Sequence, residues 1–206
     1  MGYLTSLGLV DSKNGITQLV SKAVDILTLD EAKAELGIVS TLDEEIDSAI
    51  DARINALIAT VQQFCEQYVY KTYGSETIRT VSFPSWPDKG IYFDAPPLIS
   101  VDEITYLDSE GAAQTLADTT YDVFTPENGP GYLIWNGTFT KPSVALSNAA
   151  VNVTYTSGGP VPAVVNQAAR MMLSKCWDDN RPDRVLDEYE LGAERLLAGE
   201  RWGDYA

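Results

Sequence analysis

The chain contains no histidine. The side chain most often used as a general base near neutral pH, and the most frequent metal ligand, is therefore absent. Cysteine is nearly as scarce: Cys65 and Cys176 are the two present, without CxxC spacing. That excludes a disulfide framework and a thiolate metal cluster, and both thiols read as small apolar residues of helices in a reducing compartment. No apolar run reaches the length needed to span a membrane, and the first fifteen residues lack the basic and apolar regions of a signal peptide. Positive charge is also short, at 14 Lys and Arg against 30 Asp and Glu, a net charge of −16. Nucleic-acid affinity comes largely from cations that displace counterions, so a chain this acidic does not read as one that grips phosphates. The acid is spread along the sequence, and only residues 161–182 carry a small positive balance.

What is present is enough to build a core: 45% of the 206 residues are hydrophobic, sufficient for one domain or one domain with a lobe. Thr28-Leu29-Asp30-Glu31 is a capping-box sequence that opens a short helix ended by Gly37. A second such sequence, Thr41-Leu42-Asp43-Glu44, opens a long helix. Ile46, Ile50, Ile54, Leu57, Ile58, Val61, Phe64, Cys65 and Tyr68 form its continuous apolar stripe, and the spacing carries it to about Tyr70. Asp43, Glu44, Glu45 and Asp47 crowd its first turns, where the helix dipole favours negative charge. Upstream, Ile16, Leu19, Val20, Ala23 and Val24 recur at helical spacing and predict a short helix in an otherwise weakly patterned arm.

The texture changes after Gly74. Thr77–Phe83, Ile91–Phe93, Ile99–Leu107, Gln114–Leu116, Tyr121–Phe124, Tyr132–Trp135 and Val151–Thr156 read as short strands with turn signals about every ten residues, the pattern of an antiparallel sheet or small barrel. Pro162 then starts a helix whose apolar face is Val164, Val165, Ala168, Ala169, Met172, Leu173, Cys176 and Trp177. After Pro182 an acidic segment with Val185, Leu186, Tyr189, Leu196 and Leu197 reads as a mobile tail with one or two helical turns, ending in Trp202 and Tyr205.

The expected fold is therefore α+β: a helical bundle of two N-terminal helices and one C-terminal helix, with an inserted antiparallel β region. The divisions are an arm at 1–27, the bundle at 28–74 and 161–182, the β domain at 75–160 and the tail at 183–206. Among chemical motifs, Asp178-Asp179, Asp187-Glu188 and Asp122 offer carboxylates, and Trp86 and Trp135 could serve as sugar platforms. A carbohydrate-binding or hydrolytic module is thus the alternative to a structural protein. Thirty acids place such pairs by chance, and no nucleophile–base motif, phosphate loop or metal spacing accompanies them. Asp108-Ser109-Glu110-Gly111 lacks calcium-loop spacing and reads as a turn. No catalytic residue, cofactor or metal is expected.

The segments LTLDEAKAELGI, DEEIDSAIDARINALIATVQQFCEQYV, FPSWPDKGIYFDAPPLISVDEITYLDSEG, VNVTYTSGG, VPAVVNQAARMMLSKCWDDNR and ERLLAGERW, in that order, resemble the head–tail connector (adaptor, or head-completion) proteins of tailed phages. The resemblance covers residues 27–202. It implies a bundle with an inserted β region and a homo-oligomeric ring, commonly of twelve, beneath the portal protein. It further implies a stopper or tail-terminator protein on the opposite side, DNA passing through unbound, and a place in the virion neck after assembly in the host cytoplasm. It also implies portal contacts by Leu186, Tyr189, Leu196, Leu197, Trp202 and Tyr205, and a channel faced by acids such as Asp43, Glu44, Glu45, Asp47 and Asp51.

Overall fold

The structure, a computed structural model, describes residues 10–11, 15–21, 26–41, 43–74, 77–93, 96–126, 130–177 and 183–201. The chain divides into two compact units, each assembled from two separate stretches: a β unit of residues 1–23 and 75–159, and a helical unit of residues 24–74 and 160–206. The β region is thus an insertion between helices, and the start of the chain joins it.

Among the described residues the helical unit has four helices: α1 (Leu29–Leu36), α2 (Glu44–Val69), α3 (Ala163–Trp177) and α4 (Asp183–Ala198). The Thr28 box closes as its sequence requires: the Glu31 amide donates to the Thr28 hydroxyl, and the Glu31 carboxylate accepts from the Thr28 amide. Gly37, at φ 66°, ends α1 in the left-handed region that favours glycine. At α2 the expectation is corrected by two residues. Asp43, not Thr41, is the cap, its carboxylate accepting from the Glu45 and Ile46 amides. A carboxylate there satisfies two free amides and meets the positive helix end at once. Thr41 instead donates its amide and hydroxyl to Asp47.

One apolar core fills this unit. Ile54, Ile58, Val61, Cys65 and Val69 of α2 meet Val165, Ala168, Ala169, Met172 and Leu173 of α3. Ala193 and Leu197 of α4 complete it, both fully buried. The expected stripe on α2 holds from Ile50 onward, while Ile46 stands 51% exposed. The near-neutral helix α3 is a packing element of the bundle. The expected mobile tail is corrected outright: residues 183–198 are a continuous sixteen-residue helix. Its acids suit a solvated segment, but the period of Tyr189, Ala193, Leu196 and Leu197 gives the helix one apolar side, and α3 supplies the surface that buries it.

The described residues of the β unit form nine strands, β1 (Val10–Asp11), β2 (Ile16–Ser21), β3 (Thr77–Phe83), β4 (Gly90–Tyr92), β5 (Leu98–Leu107), β6 (Ala113–Thr115), β7 (Tyr121–Phe124), β8 (Tyr132–Trp135) and β9 (Val151–Ser157). They form two sheets, ordered β2-β3-β9-β5-β6 and β1-β4-β8-β7. All pairs are antiparallel except β1 with β4. The helix expected around Ile16–Val24 is instead β2, with residues 22–25 outside the described set. Its spacing suits either state, and the free edge of β3, seven residues long, supplies the long-range hydrogen-bond partners that decide it.

Strict alternation on β9 sends Val151, Val153 and Tyr155 into the core, where they meet Val81 and Phe83 of β3, Ile104 of β5 and Ile91, Phe93 and Leu133 beside them. The Phe93 and Tyr155 rings lie 4.5 Å apart between centroids. The opposite face of the same strands is polar: Ser82 donates to Asn152 at 2.6 Å, and the Thr80 and Thr154 hydroxyls share a bond of 3.1 Å. Gly90 is indispensable to the second sheet. Its φ is 154°, and a Cβ there would stand 1.9 Å from the Leu133 carbonyl oxygen.

Candidate functional site

The acidic candidates gather at the start of α2, and the described docking candidates lie on α4, whose following residues reach the other end of α2. At twenty-six residues and about 1.5 Å per residue, α2 is about 39 Å long. Its acidic end and its aromatic end are therefore separate surfaces of one rigid element.

The acidic end holds all five channel-facing candidates, and three have structural duties. Asp43 caps the helix, and Asp47 accepts from Thr41. Asp51 pairs with Lys33 of α1 at 2.5 Å. Glu44 and Glu45 project into solvent beside the exposed side chains of Ile46 and Val39. This end thus presents an acidic surface at the start of the helix.

At the opposite end α2 stops at Tyr70, a non-glycine residue at φ 56°. The Arg201 guanidinium lies 5.7 Å from the Tyr68 ring and 5.4 Å from the Tyr70 ring. Glu200 pairs with Lys71 at 3.6 Å. These contacts hold the last described residues of the chain against the C-terminal end of α2. Trp202 and Tyr205, the aromatic docking candidates, lie outside the described residues, as does the side chain of Leu186. Of the remaining docking candidates, Tyr189 is half-buried on α4 and Leu196 packs against the core. Leu197 is fully buried, so within the folded chain it is a core residue first.

The interior of the helical unit carries a polar network that the sequence did not reveal. The Ile26 amide donates to Gln62, the Gln62 amide donates to Glu66, and the Tyr73 amide donates to the same Glu66 oxygen. It ties the entry to α1 and the exit from α2 to the last turns of α2. Cys65 lies beside it, fully buried, with its thiol pushed up to about 12 by burial and by the Glu66 charge. A thiol held protonated in this way is not a nucleophile at neutral pH.

The carbohydrate alternative depends on open tryptophans. Trp86 is buried, with Tyr106, Trp135 and Phe139 around it at 5.3, 5.6 and 5.3 Å between ring centroids. Its indole donates to the Pro142 carbonyl, and that of Trp135 donates to the Pro87 carbonyl. Trp135 also stacks on Phe139 at 4.5 Å. Trp86 is thus spent on the core, and Trp135 is half-buried with its ring stacked on Phe139, so the pair does not offer two open sugar platforms. The Asp108 segment is the expected turn: its carboxylate accepts from the Glu110 and Ala112 amides and from Gln114. Among the described residues no group of three or more potential metal ligands comes together.

No known protein family matches the chain, and no curated protein does so either. Solved structures do. A chain in the neck of an empty gene transfer agent particle, computed with C6 symmetry, superposes with a TM-score of 0.67 at 14% identity, over 90% of this chain and 95% of that one. A chain in the virion of a native gene transfer agent particle gives 0.62 at 16% identity, over the same shares of each chain. A chain in the neck of the native particle, computed with C12 symmetry, gives 0.59 at 16%, over 90% and 94%. This fold, with its β insertion between the helices, is therefore one found in the neck of gene transfer agent particles, and it has the helical bundle with inserted β region that the resemblance to head–tail connectors implies.

Proposed function

We propose that this chain is a structural adaptor subunit of a phage-type neck, forming a ring beneath the portal that joins the head to the tail and lets DNA pass. The observation that carries this is the fold likeness, which spans both units and nearly the whole length of the neck chains at a TM-score of 0.67. A chance match to one common motif would cover one unit only. The separation of the acidic and aromatic surfaces by a helix of about 39 Å supports the reading, because a subunit that joins two assemblies needs two distinct faces. The net charge supports it too: a wall of carboxylates repels DNA and lets it slide.

In this reading the ring has twelve copies and is completed in the host cytoplasm. The portal is met through residues 202–206, with Tyr189 and Leu196 as further contacts, and a stopper or tail-terminator protein is met on the other side. Glu44 and Glu45 are the acids best placed to face the channel. The sugar-binding alternative has no observation in its favour, since Trp86 is spent on the core and Trp135 is half-buried against Phe139.

Particle imaging and native mass spectrometry of the chain with its portal test the reading. A ring on the portal is expected, and deletion of residues 202–206 is expected to abolish attachment while leaving the fold intact. A chain that stays monomeric in the presence of the portal overturns the adaptor role. Full attachment without residues 202–206 overturns the docking assignment.

A further inference from the structure

Among the described residues, both edges of the five-stranded sheet are unpaired. One of them, β2, is built unlike the strands beside it. None of its residues joins the core of the β unit. Ile16, Leu19 and Val20 are 54%, 60% and 60% exposed, so the strand overhangs the sandwich with apolar side chains and an open hydrogen-bonding edge. Edge strands of monomeric proteins are commonly guarded by charge, proline or a covering segment. Ile16–Ser21 contains no charge and no proline. The other edge, β6, is also exposed along its length, and Ala112–Ala117 is likewise free of charge. In a chain of net charge −16, copies repel one another over most of their surfaces. Both open edge strands carry no charge of their own, and the carboxylates nearest β6, Asp108 and Glu103, are engaged by Gln114 and Thr115.

Strand direction then fixes the pairing. Four antiparallel steps separate β2 from β6, so the two edges run in the same direction. Two copies related by rotation about a ring axis would bring β6 of one beside β2 of the next in parallel. Such a contact is head-to-tail, uses a different surface on each side, and closes only as a ring. We propose that the β2 edge accepts the β6 edge of a second copy of this chain, so that the five-stranded sheets run on from subunit to subunit. This rests on the neck-ring reading and adds to it the surface that joins the copies.

Cross-linking tests the pairing. Gln18 opposes Thr80 and Ala113 opposes Leu107, which puts both on the polar outer face of the sheet. The double variant Gln18→Cys/Ala113→Cys, assembled with its portal and treated with a short bis-maleimide, is expected to give a ladder of covalent multimers beyond the dimer. Each single variant, and the parent chain with Cys65 and Cys176 alone, is expected to give none. A dimer from Gln18→Cys alone would mean that two β2 edges meet each other, and overturns the proposal. Rings visible by imaging without a ladder overturn the edge pairing and leave the adaptor role standing. Absence of any ring overturns both.

A second variant needs no cross-link. Leu19→Glu/Val20→Glu places like charge on exposed side chains, so an unchanged thermal melt is expected, with the assembled fraction lowered about ten-fold or more. Undiminished rings in that variant overturn the proposal.

Discussion

Buried residues with unusual environments give the sharpest tests. Cys65 keeps its proton to about pH 12 in the folded chain, against an ordinary value of 9.0. Tyr73, buried with its hydroxyl unpartnered, is shifted upward from 10.0, mainly by the same loss of solvent. Between these limits the unfolded chain releases protons that the folded chain holds, so stability falls as pH rises from about 9 toward 12. Urea titrations at a series of pH values are expected to show this decline. Tyr73→Phe should match or exceed the parent at pH 7, because it removes an unpaired polar atom, and should lose less above pH 10. An alkaline limb identical to the parent would show that Tyr73 ionises freely. At Gly90 the constraint is steric. Gly90→Ala forces a side chain onto a strained backbone and against the Leu133 carbonyl, and should cost roughly 2–4 kcal/mol in chemical denaturation. A cost below about 0.5 kcal/mol, the size of an ordinary surface change, would contradict that geometry.

Elements behave differently according to where their partners lie in the chain. The Thr28 box, the Gly37 stop and the strands from Thr77 to Ser157 are visible in the sequence, because capping and period-two alternation are local codes. β2 and α4 are not. Each is a segment whose own pattern is ambiguous, and each is decided by a remote neighbour, β3 in one case and α3 in the other. For α4 the consequence is carried by Leu197. A docking residue in a mobile tail could be truncated without loss of stability, whereas Leu197 is fully buried among α2, α3 and α4. Leu197→Ala should therefore destabilise the helical unit by about 2–5 kcal/mol in a urea titration. A stability equal to the parent would mean that α4 is not docked in solution. Gly192 marks the same interface: a Cβ there would meet the flexible end of Met171, at 2.3 Å from its Cε.

At the scale of the whole molecule, charge and modular construction matter most. Of the thirty acids, nineteen lie in the helical unit and eleven in the β unit, so neither unit is a basic module for nucleic acid. Filter binding with duplex DNA is expected to show no retention down to about 50 mM salt, and no salt-dependent slope, since that slope counts cation–phosphate contacts. Retention that weakens steeply with salt would reveal a cationic site and contradict the sliding-wall role.

The sequence by itself determined the class of the fold, the insertion of strands between helices, the capping box that starts α1 and the absence of histidine-based chemistry. All of these rest on composition or on patterns a few residues long. The candidate surfaces were legible only as residue types: the acids at the start of α2 could be named, but not that Asp43, Asp47 and Asp51 would be engaged by an amide pair, Thr41 and Lys33. Tertiary structure decided which apolar residues are core and which are left outside. Leu197 and Leu19 are the same amino acid, yet one is sealed in the helical core and the other stands exposed on an edge strand. Burial is a property of what lies opposite a side chain, and chain folding alone brings that surface there.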